Sequence, residues 1–271
     1  MTGALDVDSQ ADPAARDALD FASRCLALDL EVGKTDGNIH QFGAVRLEAQ
    51  TAIPRALSFR QGPLGPALTH LDDFAAQTQF TLGHNVIVFD LPVLASIKPD
   101  LLLLGRPALD TLWLSPLAFP ANPYHRLIKH YQDGQLRSGQ KNNPVEDARL
   151  ALRVLMEEFQ ALRKTLQSAS GLVLAWHWLT SQGDAGQGFE AFFRAIRQAP
   201  RPAKTEALVA IDELLAGKVC QTYGREALAS VDEGEGAWVL AYTLAWLSVA
   251  GTNSVIAPWV RHQFPEVSAQ L

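Results

Sequence analysis

A chain of 271 residues, 48% hydrophobic and 19% charged, has the make-up of a globular protein and excludes wholesale disorder. The net charge of −6 does not advertise nucleic acid as a partner, although a site that holds cations is acidic by necessity and a local basic strip can coexist with it. Two cysteines, Cys25 and Cys220, give neither a disulfide framework nor a metal-ligand spacing, so a reducing, cytoplasmic setting is the expectation.

Residues 1–19 read as a flexible start, with a short helix from about Asp12 through Phe21. The first 24 residues are acidic and Ala-rich, without the apolar core of a signal peptide. The longest apolar run, Ala237 to Ala250, is too short to span a bilayer, and no membrane partner is expected. The first firm strand is Cys25 to Val32. Its period of two puts Asp29 and Glu31 on one face, where two adjacent anions repel. Two readings stay open for this pair: half of a metal site, or a strand end emerging into water with two solvated acids.

A turn over Gly33 to Asn38 leads to a second strand, Ile39 to Leu47, and a third over 56–59. Helical spacing over 66–79 precedes a short buried strand, Phe80 to Gly83, and a helical stripe from Val86 carries Asp90 in its midst. Leu109 to Leu114 reads as another strand, and a helix is predicted from Asn122 through Tyr131, ended by Asp133-Gly134. A loop to Asn143 leads to Pro144, suited to the first position of a long helix reaching about Leu166. Strands followed by alternating strands and helices predict an α/β fold, a mixed sheet flanked by helices, over 20–168. Beyond Ser168 the strand signals vanish. Helices at 172–179, 188–197, 204–215 and 236–249 predict a smaller all-helical domain, 169–271, of unassigned role. Five of the six tryptophans fall there, read as aromatic packing ahead of a base-stacking platform.

Leu28-Asp29-Leu30-Glu31, followed by Ile39-His40-Gln41-Phe42-Gly43-Ala44-Val45, resembles the first motif of the DEDD (DnaQ-like) three-prime-to-five-prime exonucleases. Gly83-His84-Asn85 through Asp90 resembles their second motif, and Val145-Glu146-Asp147-Ala148 their third, in family order. The resemblance implies a ribonuclease-H-like fold and a hydrolase that removes nucleotides from a DNA three-prime end, with single strands favoured. It implies two divalent cations, Mg²⁺ or Mn²⁺, which suit carboxylate and water ligands. Asp29 would bridge both, Glu31 and Asp147 would hold the one that activates water, and Asp90 would help hold the other. Read singly, Asp90 is equally a solvated helix residue and Asp147 a first-turn acid favoured by the helix dipole. Glu146 competes with Asp147 but fits the motif less well.

The family's general-base His or Tyr would stand five or four residues before the last Asp, where this chain has Asn142 and Asn143. Asn accepts no proton at neutral pH, so Asn142 is read as orienting the water, with the base supplied elsewhere or by solvent. Between His125 and Lys141, Arg126, Lys129, Arg137 and Lys141 face one acid, Asp133, a surplus suited to phosphates. Arg126 and Lys129 are therefore nucleic-acid-binding candidates, with Leu30, His84 and Asn85 beside the site. Asp110 through Pro120, Asn122 through Leu127, and the Asn142-to-Ala148 stretch also resemble the exonuclease-like front portion of some bacterial RecQ-type helicase proteins, which implies a helicase domain or partner. Two rival readings are a degenerate module that binds nucleic-acid ends or a partner without cutting, and an RNA-directed enzyme.

Overall fold

The computed structural model of the chain describes residues 12–33, 35–48, 51–122, 124, 125, 127, 143–231 and 236–249. Contacts gather these residues into two units. One draws on Met1–Thr111 and Arg126–Glu157, the other on Leu112–His125 and Glu158–Leu271. The sequence reading ends its α/β domain at 168; by contacts, 112–125 and 158–168 group with the later helices.

In the first unit, helix α1 (Pro13–Ser23) is started by Asp12, whose carboxylate accepts the Ala14 N–H at 3.1 Å. The strands are β1 (Cys25–Val32), β2 (Ile39–Leu47), β3 (Pro54–Phe59), β4 (Phe80–Gly83) and β5 (Ala108–Asp110). They form one open mixed sheet in the order β3-β2-β1-β4-β5. The pairs β1–β2 and β2–β3 are antiparallel, and β1–β4 and β4–β5 are parallel. Helices α2 (Leu64–Ala75) and α3 (Asp90–Ile97) follow β3 and β4. A central strand covered on both faces reads as a continuous apolar run, and Cys25 through Leu28 are buried. Leu26, Leu28 and Leu30 share a core with Phe42, Leu68, Leu71 and Leu94. Each such side chain contributes about 1.5–3 kcal/mol by leaving water. Burial relaxes only at Asp29, Glu31 and Val32, so the acids sit where the strand leaves the core.

Helix α4 (Thr111–Ala118) straddles the first boundary between units and α5 (Pro144–Ser168) the second. The second unit continues with α6 (Ser170–Thr180), α7 (Gln187–Arg197), α8 (Lys204–Leu215), α9 (Gln221–Ser230) and α10 (Gly236–Val249). Its aromatic residues pack on one another. Trp238 meets both Trp113 and Phe189 edge-on with centroids 4.9 Å apart, and the Trp176 indole N–H donates to the Ala241 carbonyl at 2.9 Å. His177 is fully buried, with Nδ1 3.0 Å from Arg197 Nη1. Burial, reinforced by Arg197, Arg201 and Arg194, lowers its pKa to about 3. His125, buried beside the Ser115 hydroxyl at 2.8 Å, is lowered to about 4 by burial.

Several elements differ from the sequence reading. The strand predicted over Leu109 to Leu114 ends at Asp110, and Thr111 starts a helix. A run buried on every side carries no periodicity to tell strand from helix. The stripe from Val86 becomes helical only at Asp90, because Asp110 takes up the preceding backbone N–H groups in a turn. Asn122, Tyr124, His125 and Leu127 are not helical, and the rest of the helix predicted to Tyr131 lies outside the described residues. Helix α9 was not predicted; Gly224 and sparse apolar residues hide its period. No helix among the described residues is long and apolar enough to cross a membrane.

Candidate metal centre

Strand β1 supplies the first two acids. In its register with β2, Asp29 lies opposite Gly43 and Glu31 opposite Gln41, all on one face. Gly43 is bare for a reason visible in the structure. A Cβ there would fall 2.2 Å from the Val145 nitrogen and 2.3 Å from the Pro144 carbonyl carbon. The missing side chain therefore admits the first turn of α5 against the sheet. One turn in, Asp147 donates its N–H to the Asn143 carbonyl at 3.0 Å, and its carboxylate joins the two acids of β1. Carboxylate oxygens of Asp29, Glu31 and Asp147 lie within 4.8 Å of one another. Glu146 turns outward to an ion pair with Arg149, so of the two adjacent acids it is Asp147 that joins the cluster.

Asp90 opens α3 and is buried, its Oδ1 accepting the Leu30 N–H at 2.8 Å. That bond ties it to the peptide between Asp29 and Glu31. Burial first, then the charge of Asp29, pushes its pKa up to about 8, with Asp110 adding and the Leu30 N–H opposing. Asp90 is outside the three-acid group but within its electrostatic reach. Two like charges about 4 Å apart cost about 4 kcal/mol at an effective dielectric of about 20. Such a cluster is relieved of that repulsion when a cation sits among its carboxylates. Its donors are hard carboxylate oxygens, the set that Mg²⁺ and Mn²⁺ prefer.

A fifth acid, not among the predicted site residues, organises the approach to Asp90. Asp110 is fully buried at the end of β5 and accepts the N–H groups of Asn85 at 2.8 Å and Ile87 at 3.1 Å. This fixes the turn in which Asn85 adopts a φ of 71°. The Thr111 hydroxyl donates to the Gly83 carbonyl at 3.2 Å and lies 2.9 Å from His84 Nδ1.

The structure thus brings together Asp29, Glu31 and Asp147, with Asp90 bonded beside them. His84 and Asn85 are half-buried in the turn that leads to Asp90. The Leu30 side chain is buried in the core, and this residue serves the site through its backbone N–H. Asn142, Arg126 and Lys129 lie outside the described residues. No family model matches the chain, and searches of curated proteins and of solved structures likewise return no match.

Proposed function

We propose that this chain is a metal-dependent three-prime-to-five-prime exonuclease acting on single-stranded DNA, with a ribonuclease-H-like fold in its first unit. The observation that carries the reading is the convergence of Asp29, Glu31 and Asp147 from two distant elements, with Asp90 bonded to the peptide between the first two. The strand order, three antiparallel strands followed by two parallel ones, is compatible with that fold. The three motifs supply the family resemblance.

In this reading Asp29, Glu31, Asp90 and Asp147 hold two divalent cations. Bound there, such ions acidify water and relieve charge on the departing oxygen. The chain's own contribution is positioning. The β1–β2 register fixes Asp29 and Glu31, Gly43 seats the helix that carries Asp147, and the Leu30 N–H orients Asp90. Asn142 aligns the attacking water, Arg126 and Lys129 meet backbone phosphates, and a helicase domain or partner exposes the strand.

The test is degradation of a five-prime-labelled single-stranded DNA with Mg²⁺ or Mn²⁺. A ladder shortening from the three-prime end, lost with chelator and in Asp29→Ala, supports the reading. No cleavage under any metal condition overturns it. The two asparagines at 142 and 143, standing where the resembled family keeps His or Tyr, favour a second reading: a module that binds nucleic-acid ends or a partner without cutting. DNA binding that survives in Asp29→Ala, without cleavage by the parent, would mark that outcome.

A further inference from the structure

An open cleft of about 690 Å³ adjoins the acidic cluster, lined by Glu31, Val32, His40, Gln41, Arg60, Gln61 and Asn143. Its shape begins with an irregularity of pairing. Glu31 faces Gln41 while Val32 faces Ile39, so one step on β1 matches two on β2, and His40 is the unpaired extra residue. Bulges of this kind bend a strand and re-aim a side chain. Here the imidazole turns to the β1–β2 turn, with Nε2 2.9 Å from Asp36 Oδ2. The pair closes over Gly33, where a Cβ would fall 2.0 Å from Asp36 Oδ1 and 2.8 Å from His40 Nε2. The hydrogen bond to His40 also holds the Asp36 carboxyl down to about 2.

The other walls bring different chemistry. Arg60, just beyond β3, makes no ion pair with any described residue. The Asn143 side-chain oxygen is buried with no hydrogen-bond donor among the described residues. Gln41 and Gln61 add two carboxamides. A guanidinium, an imidazole fixed by a carboxylate and three carboxamides suit an anion that also carries hydrogen-bond donors and acceptors. The volume falls in the ordinary range for a ligand pocket, about 300–1,000 Å³.

We infer that this cleft receives one nucleotide unit of a single strand, its phosphate on Arg60 and its base or sugar against His40, Gln41, Gln61 and Asn143. Glu31 belongs both to the cleft and to the acidic cluster, so a strand with its reacting phosphate at the acids continues into the cleft. The inference rests on the nuclease reading but assigns residues which that reading does not use.

The test is fluorescence anisotropy of a short five-prime-labelled oligothymidylate with the full chain in metal-free buffer, where no cutting interferes, repeated over a range of salt. Arg60→Ala should weaken binding about tenfold and lower the salt slope by about one, with Arg60→Lys retaining the slope. His40→Ala and Asn143→Ala should weaken binding without changing the slope. Arg55→Ala is the control, because Arg55 lies on β3 paired with Glu48 at 3.4 Å. Equal affinity of parent and Arg60→Ala, or equal losses in Arg60→Ala and Arg55→Ala, would overturn the cleft assignment while leaving the nuclease reading standing. A parent that neither binds nor cuts any strand would overturn both.

Discussion

Replacing Asp90 by Asn isolates the electrostatic cost of the acidic cluster. Asn keeps an oxygen to accept the Leu30 N–H and removes the charge that burial and Asp29 oppose. Because the folded pKa is raised, the folded chain binds more protons than the unfolded one between the two values. The parent's stability is therefore fully present below the unfolded pKa and is lost as pH rises through the folded one. The span from 3.8 to about 8, at about 1.4 kcal/mol per pH unit, sets a ceiling of about 6 kcal/mol. Relaxation and water entry reduce this, and a deficit of about 2–4 kcal/mol relative to Asp90→Asn is expected above pH 8. Urea unfolding of both proteins with chelator, from pH 5 to 9, measures it. The gap between them should widen with pH and level off near pH 9, and Mg²⁺ or Mn²⁺ should narrow it by stabilising the parent. A gap that stays constant with pH, or a variant less stable than the parent at pH 9, would refute the reasoning.

Other outcomes follow from particular contacts. Gly43→Ala drives a methyl into the Pro144–Val145 backbone. It should lose about 1–3 kcal/mol in urea unfolding and more cation affinity than Gly65→Ala, whose Cβ meets nothing within 4 Å. Asp110→Ala leaves the Asn85 and Ile87 N–H groups without their acceptor. It should cost about 2–4 kcal/mol and speed hydrogen exchange first in the turn before Asp90. His177 and His125 have depressed pKa values, so the stability they confer is present above their unfolded pKa of 6.5 and is lost as pH falls toward about 4 and then 3. Tryptophan emission should report acid unfolding of the second unit in that window, and His177→Phe should shift its midpoint to lower pH.

Much of this architecture was legible in the sequence. Alternation and turn residues gave β1, β2 and β4 with their observed bounds, and Pro144 marked the first residue of α5. Asp29 and Glu31 could be put on one face because a strand's period is two. That Asp147 joins them could be expected only from resemblance, since the meeting depends on a long-range approach. The approach itself is written in Gly43, but a lone glycine in a strand does not say which backbone needs the space. Asp110 was hidden for a related reason. Its partners are backbone N–H groups of residues 85 and 87, and no side-chain pattern announces a backbone acceptor. The bulge at His40 was equally silent, because it falls one residue into β2, where too little strand precedes it for a break in pairing to show. Residues buried on all sides, as in α4, gave a strand reading where the chain forms a helix.

The most direct measurement of the central claim is Mn²⁺ binding by electron paramagnetic resonance, titrating the metal into the parent, Asp29→Asn and Asp147→Asn at pH 7.5. The acids of β1 and α5 are held to act as one cation site. The parent should therefore bind Mn²⁺ saturably, with Mg²⁺ competing, and each variant should lose most of that binding while remaining folded. A parent that binds no Mn²⁺, or variants that bind it as well as the parent, would contradict the account.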